Sequence, residues 1–213
     1  MTEENRNNSI NRNLKRFAFM LHFCISKDLI MELILASQSP RRQELMKLIG
    51  LPFAVRVADI DETLDACAPE EAVARLSRKK AEAVRRCADE IVIGADTVVV
   101  LDGKVLGKPA NETDAFRMLR SLSGHRHQVM TGLTVLQGDR CVSVTEVTEV
   151  SFRPLSDGDI LTYIATGDPM DKAGSYGIQN GGALFVDGIR GDYYNVVGLP
   201  VCRLGQILKE FTL

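Results

Sequence analysis

Excess charge of either sign is missing from this chain of 213 residues: 26 Lys and Arg stand against 28 Asp and Glu, a formal net charge of −2 at pH 7. A general nucleic-acid binder carries a clearly basic surface, so that partner is not expected, although local basic clusters can still serve a small anionic ligand. Also missing near the N-terminus is an apolar run long enough to span a bilayer. "FAFMLHFCI", Phe17 to Ile25, falls well short of the roughly 20 residues required, and no membrane partner is expected. Cysteine occurs five times, at Cys24, Cys67, Cys87, Cys141 and Cys202, in odd number and never as a CxxC pair. A disulfide framework and a zinc ribbon both lose their support, and reduced thiols in a cytoplasmic protein are the expectation. Neither GxGxxG after a strand nor GxxxxGKS/T occurs, so a Rossmann dinucleotide site and a P-loop are unsupported. No Ser-His-Asp or Cys-His arrangement, internal repeat or Pro/Ser-rich linker stands out.

What is there is an ordinary globular composition, 45% hydrophobic, with length for one large domain or two small ones. "MTEENRNNSINRNLKR" is polar, Asn-rich and aperiodic, which argues disorder. The basic-then-apolar order that follows is like a signal peptide, but "SKDLIMEL" offers no small-residue cleavage site. Residues 1–30 are therefore taken as a disordered or dispensable extension, and 31–213 as the domain. "MELILAS" reads as a buried strand, with Ser39 as N-cap and Pro40 opening a helix that stops at Gly50. "FAVRVADI" alternates like a strand, and "DETLDACA" is an acidic loop. From Pro69, "PEEAVARLSRKKAEAVRRCA" is amphipathic, with acids early and bases late, as the helix dipole prefers. "EIVIGADTVVVLDGKVLGKP" gives a strand and a hairpin turning at "DG". A helix capped by Asn111, a long β-ribbon turning at "QGDR", a helix near Ser156, a Gly-rich segment with one or two short strands and a C-terminal helix complete the chain. Strands mixed with helices, some joined by hairpins, predict a single α/β domain on a mixed sheet.

Asp96 lies among apolar residues in "IVIGADTVVV", which predicts a carboxylate at a strand end or bulge, with Gly94 allowing tight backbone approach. Such a group is either structural or catalytic. Arg41 and Arg42 stand at a helix start, where the dipole disfavours cations, and Lys108 follows a hairpin in "GKP". Several cations beside strand ends and a helix N-terminus suit a polyphosphate. Lys79 and Lys80 sit mid-helix in a run that reads alone as a solvated stripe. "GSYGIQNGG" lets the backbone approach a ligand, and Gln179 there offers both a donor and an acceptor, as recognition of a base edge requires. Asp59, Asp61 and Glu62 are candidates for a hard cation such as Mg²⁺, which takes one or two carboxylates and shares itself with substrate phosphates. "HRH", His125 to His127, reads as strand packing and surface.

Taken in order, "LASQSPRRQEL", "IGADTVV", "GKP", "LSGHRHQVMTG", "DKAGSYGIQ" and "GDYYNVVGLP" resemble the Maf family of nucleoside triphosphate pyrophosphatases, from about Met31 to the C-terminus. The resemblance implies an elongated mixed sheet with a deep cleft, similar to inosine triphosphate pyrophosphatase. It implies hydrolysis of a nucleoside triphosphate to the monophosphate and diphosphate with a divalent cation, Mg²⁺ or Mn²⁺. Asp96 is implied as proton acceptor and Ser37, Arg41, Arg42, Lys80 and Lys108 as substrate contacts, Lys80 being preferred to Lys79. Glu62 and Asp96 are implied on the metal. Arg41, Thr97 and Gln179 resemble the branch acting on dTTP and UTP, with clearance of non-standard pyrimidine nucleotides as a further expectation. The 7-methyl-GTP branch and a non-catalytic regulator of cell division are the alternatives. Asn180 departs from the glycine that usually follows "GIQ", which leaves substrate breadth open, and a homodimer is allowed.

Overall fold

Seven strands form one sheet in the computed structural model, which describes residues 32–211; the N-terminal extension, Met31 and Cys24 lie outside them. β1 (Leu33–Leu35) is wholly buried and runs into helix α1 (Pro40–Lys47). The Ser39 side chain caps α1 by accepting from the Arg42 amide, and Pro40 stands at its start, where a missing N–H costs nothing. β2 (Ala54–Val55) precedes α2 (Pro69–Val84) and then β3 (Ile91–Leu101), which turns through Asp102 and Gly103 into β4 (Lys104–Leu106). Both turn residues have positive φ, 49° and 74°, the tight hairpin that "DG" favours. The Asn111 side chain caps α3 (Glu112–Leu122), and β5 (Arg126–Gln137) and β6 (Arg140–Phe152) form the long ribbon. α4 (Asp157–Ile164) opens with a reciprocal capping box between Ser156 and Asp159. Three 3₁₀ turns, β7 (Val186–Arg190), α5 (Tyr193–Val197) and α6 (Val201–Phe211) complete the described chain.

The sheet order is β2-β1-β3-β5-β6-β7, with β4 also on β3; β1 is parallel to both its neighbours and the other pairings are antiparallel. Alternation along β3 divides the molecule into two layers. Ile91, Ile93, Ala95 and Val99 face the main core with α1, α3, α4 and α6, whereas Val98 and Val100 pack with Val73 of α2. Helix α2 lies directly on the sheet. A Cβ at Gly94 would meet Ser77 O at 2.1 Å, and one at Gly132 would meet Val73 O at 2.1 Å. Gly94 thus serves close approach of a helix backbone.

β3 also frames an opening. Along one edge it pairs with β5 in unbroken register from Val92 to Val100. On the other edge β1 covers residues 91–93 and β4 covers residues 99–101. Residues 94–98 between them have no strand neighbour on that side among the described residues.

Four sequence expectations need correction. Asp96 stands in mid-strand, opposite Gly132, with no bulge; the interruption lies in its neighbours. "FAVRVADI" yields only Ala54–Val55 as strand, because three-residue β1 offers little to pair with and Arg56 turns away to Glu90 and Glu32. Helix α2 ends at Val84, since Arg85 is extended (φ −63°, ψ 133°), so the two late arginines lie beyond it. The short helix α5 was not expected; the one strand of the Gly-rich segment was. Cys67, Cys87, Cys141 and Cys202 are free thiols. No helix among the described residues is long and apolar enough to cross a membrane.

Candidate active site

The open edge of β3 is one wall of a cleft of about 680 Å³. Consecutive residues of a strand point to opposite faces, yet at an unpaired edge both can border the same opening. Asp96, on the α2 face, and Thr97, on the opposite face, both line it. Around them stand five basic residues, Arg41, Arg42, Lys80, Lys108 and Lys172, and three acidic ones, Glu62, Asp96 and Asp171. That surplus of positive charge suits a polyanionic ligand.

On the α2 side, Lys80 falls on the buried face with Ala72, Val73, Leu76, Ser77, Ala81 and Val84. Its side chain is 7% exposed, and Nζ lies 2.7 Å from Asp96 Oδ1 and 3.0 Å from Glu62 Oε1. Asp96 is itself 13% exposed at its side chain. Lys79, by contrast, points outward to Asp65 at 2.9 Å. The contact of Gly94 with Ser77 brings α2 near enough for Lys80 to reach the carboxylate.

On the other face, Arg42 Nε donates to Gly198 O at 2.8 Å, Nη2 to Thr97 Oγ1 at 3.0 Å and Nη1 to Ser37 Oγ at 3.4 Å. Thr97 meets Thr131 at 2.9 Å, and Thr131 donates to the Asn195 carbonyl at 3.2 Å. Burial lowers the Arg42 pKa from its ordinary value, with the charge of Asp96 opposing the change; a guanidinium nonetheless stays protonated. The arginines at the start of α1 therefore differ. Arg42 is a fixed cation woven into two loops and a strand. Arg41 stays nearer the surface, its Nη1 3.3 Å from Asp171 Oδ2. Ser37 is 7% exposed and accepts from the Ser39 amide at 3.2 Å. Lys108 and Gln179 are exposed on the lining with no hydrogen bond to another described residue.

Asp96 and Glu62 approach a common point, at present held by the Lys80 ammonium. Two carboxylates beside an anion site match the donor set of Mg²⁺, which keeps water and phosphate ligands. Among the described residues no group of three or more His, Cys, Asp or Glu could hold a metal unaided, so these residues fit a cation that arrives with phosphates. Asp61 turns instead onto Thr63. His127 is buried and its Nε2 lies 2.8 Å from Tyr176 Oη; burial lowers its pKa to about 4. His125 is exposed, so the "HRH" stretch divides into packing and surface as expected.

Residue by residue, the cleft gathers Ser37, Arg41, Arg42, Glu62, Lys80, Asp96, Thr97, Lys108 and Gln179 from six separate stretches of chain. A family model described as "Maf-like protein" matches residues 32–211. The chain belongs to the Maf family. It is similar to a dTTP/UTP pyrophosphatase of Symbiobacterium thermophilum, with 53% identity over 182 residues covering 84% of this chain and 94% of that one. To a dTTP/UTP pyrophosphatase of Bacillus cereus (strain ATCC 10987 / NRS 248) it is 46% identical over 196 residues, covering 91% and 97%. Among solved structures, a HAM1 protein from Coxiella burnetii aligns with TM-score 0.46 and 16% identity over 85% of this chain and all of that one. The Staphylococcus aureus Ham1 protein aligns with TM-score 0.48 and 14% identity, covering 84% and 98%.

In this Maf protein the sequence reading missed Lys172, which is 7% exposed and lines the cleft. It stands at the mouth of a Gly-rich segment, as Lys108 stands beside Gly107, and the same signal could have found it. Its ammonium is held by Asp171 Oδ1 at 2.7 Å and by Asp168, at 2.6 Å to the carbonyl and 2.9 Å to Oδ1. Asp168 and Asn180 were missed as a bonded pair, Asn180 Nδ2 donating to Asp168 Oδ1 at 2.6 Å.

Proposed function

We infer that this chain is a nucleoside triphosphate pyrophosphatase that hydrolyses dTTP and UTP to the monophosphate and diphosphate. The observation that carries the reading is the nearly buried Asp96, paired with Lys80, in a cleft where cations outnumber acids. The name borne by relatives 46–53% identical supports the same substrates. Arg41, Thr97 and Gln179, which mark the dTTP/UTP branch by resemblance, share that cleft.

Water attacks the α-phosphorus, the bond from that phosphorus to the bridging oxygen breaks, diphosphate leaves, and Asp96 takes the water's proton. A positioned base of this kind contributes roughly 10²–10⁴-fold in rate. Lys80 orients the carboxylate through Oδ1, leaving Oδ2 for the proton. Arg42, rigidly held, supplies fixed positive charge where anionic charge develops, and Arg41 and Lys108 bind the phosphates from the rim. Asp96 and Glu62 would hold a divalent cation, which when bound offsets charge on the phosphoryl oxygens and the leaving diphosphate. Gln179 would donate to a pyrimidine carbonyl and accept from N3–H, the pattern shared by thymine and uracil.

Diphosphate release from UTP, dTTP, CTP, GTP and 7-methyl-GTP with Mg²⁺ or Mn²⁺ tests the reading. The expected order is dTTP and UTP first, CTP intermediate and purines last, because a wrong base leaves polar groups unpaired. A kcat/KM ratio of UTP to 7-methyl-GTP below one overturns the pyrimidine assignment, and no diphosphate from any of the five overturns the activity.

A further inference from the structure

Gln179 is exposed beside the buried Ile178, on a short loop where an exposed side chain would ordinarily sample many positions. The loop is tied at both ends to one carboxylate. Asp168 Oδ1 accepts from Asn180 Nδ2 at 2.6 Å, and Oδ2 accepts from Tyr163 Oη at 2.5 Å. That tyrosine oxygen in turn accepts the Gly177 amide at 3.0 Å. The loop also closes on itself, the Asn180 amide donating to Gly177 O at 3.2 Å. Beneath it lies the Lys172 stem, so close that a Cβ at Gly177 would come 2.5 Å from Cε. Burial works against charge on Asp168, but the bonds from Tyr163, Lys172 and Asn180 hold its pKa below the usual carboxylate range. Tyr163 is moved the other way, upward, by burial and by Asp168. The hub is therefore an ionised acceptor at neutral pH.

We propose that Asp168, Asn180 and Tyr163 form a clamp that fixes the Gln179 loop and so sets discrimination between uracil and cytosine. The clamp members are positioning residues; Gln179 makes the contact. This rests on the assignment of Gln179 to the base. A side chain on a free loop must be ordered when its bond forms, which costs affinity. Cytosine, mismatched with the amide, never forms that bond and gains nothing from ordering. Loosening the loop therefore weakens uridine nucleotides more than cytidine nucleotides, and the preference shrinks.

The test is a double-mutant cycle on the full chain. Binding of the α,β-imido analogues of UTP and CTP is measured by calorimetry for wild type, Asn180→Gly, Gln179→Ala and the double variant. Asn180 is exposed and its φ of −119° is open to any residue, so its loss leaves the core untouched. Asn180→Gly is expected to lower the uridine-to-cytidine affinity ratio about tenfold, the scale of one hydrogen bond. In the Gln179→Ala background the same change should alter the ratio less than twofold, because coupled residues are non-additive. Tyr163→Phe, which removes the other tie, should act in the same direction as Asn180→Gly. An unchanged ratio in Asn180→Gly, or equal effects in both backgrounds, overturns the clamp. So does a wild type that binds both analogues equally. Diphosphate release from UTP is followed in parallel. Turnover with an additive cycle sinks the clamp and leaves the activity standing; a coupled cycle without turnover does the reverse.

Discussion

Lys80 Nζ, shared between Asp96 and Glu62, ties the candidate base to an acidic loop that has no regular structure. Replacing Asp96 by Asn keeps the shape and a carbonyl acceptor for Lys80 but removes the site for a proton. Asp96→Asn is expected to lose roughly 10²–10⁴-fold in kcat while keeping its melting temperature and nucleotide affinity; turnover within tenfold of wild type would refute the assignment. The phosphate cations should separate by how they are held. Arg41→Ala and Lys108→Ala remove rim groups and should weaken kcat/KM by about 1–3 kcal/mol without loss of stability. Arg42→Ala removes a charged donor from Gly198 O and Thr97, leaving them only weaker partners, and should lower the melting temperature as well. If all three variants melted alike, Arg42 would not be the structural cation described above. Lys80 was legible through the family resemblance alone, since its run reads by itself as a solvated stripe and only the structure puts it on the buried face of α2 with Leu76 and Ala81. Lys172 and the Asp168–Asn180 pair were not, since no period operates in a segment of 3₁₀ turns and their bonds close over 4 and 12 residues.

At the scale of elements, glycines decide how close α2 may come. Ala at position 94 would place a methyl carbon 2.1 Å from Ser77 O, and a backbone carbonyl cannot rotate away as a side chain can. Gly94→Ala should cost about 1–3 kcal/mol or more and should reduce activity beyond its effect on folding, because Lys80 recedes with the helix. Urea denaturation and kcat measured on the folded fraction check both; normal activity would show that α2 tolerates displacement. The longer helices, their caps and both hairpins could be read from the sequence because Ser39, Asn111, Ser156 and the "DG" turn act locally, whereas the five-residue α5 could not. The length of β2 and the site of Asp96 could not, since each depends on how far a strand distant in sequence extends.

For the whole molecule, two buried ionisable groups, His127 and Glu90, contribute to the response to acid, beside carboxylates such as Asp168 that are also held low. His127 titrates at about 4 when folded, lowered by burial, against about 6.5 when unfolded. The unfolded chain then binds more protons between those values, so stability falls as pH drops through that window. Glu90 is held at about 2, chiefly by its bond from Arg56; its contribution is present above the ordinary carboxylate range and is lost as pH falls towards 2. The melting temperature should decline in two stages, the first beginning near pH 6.5. His127→Gln should abolish the first stage, and persistence of that slope in the variant would exclude His127 as its source.

The seating of α2 on Gly94 and Gly132 has a consequence for motion. Where two backbones touch with no side chain between them, there is no rotamer to turn and no layer to slide. The wall bearing Asp96 and Lys80 should therefore act as an anvil, and any tightening around a nucleotide must come from the facing side or from the irregular stretch 56–68. Hydrogen exchange should show amides of α2 and β3 protected to nearly the same degree with and without UMP. Slowing on ligand addition should concentrate in 56–68 and 168–180. Equal slowing throughout α2 would mean that the anvil moves too.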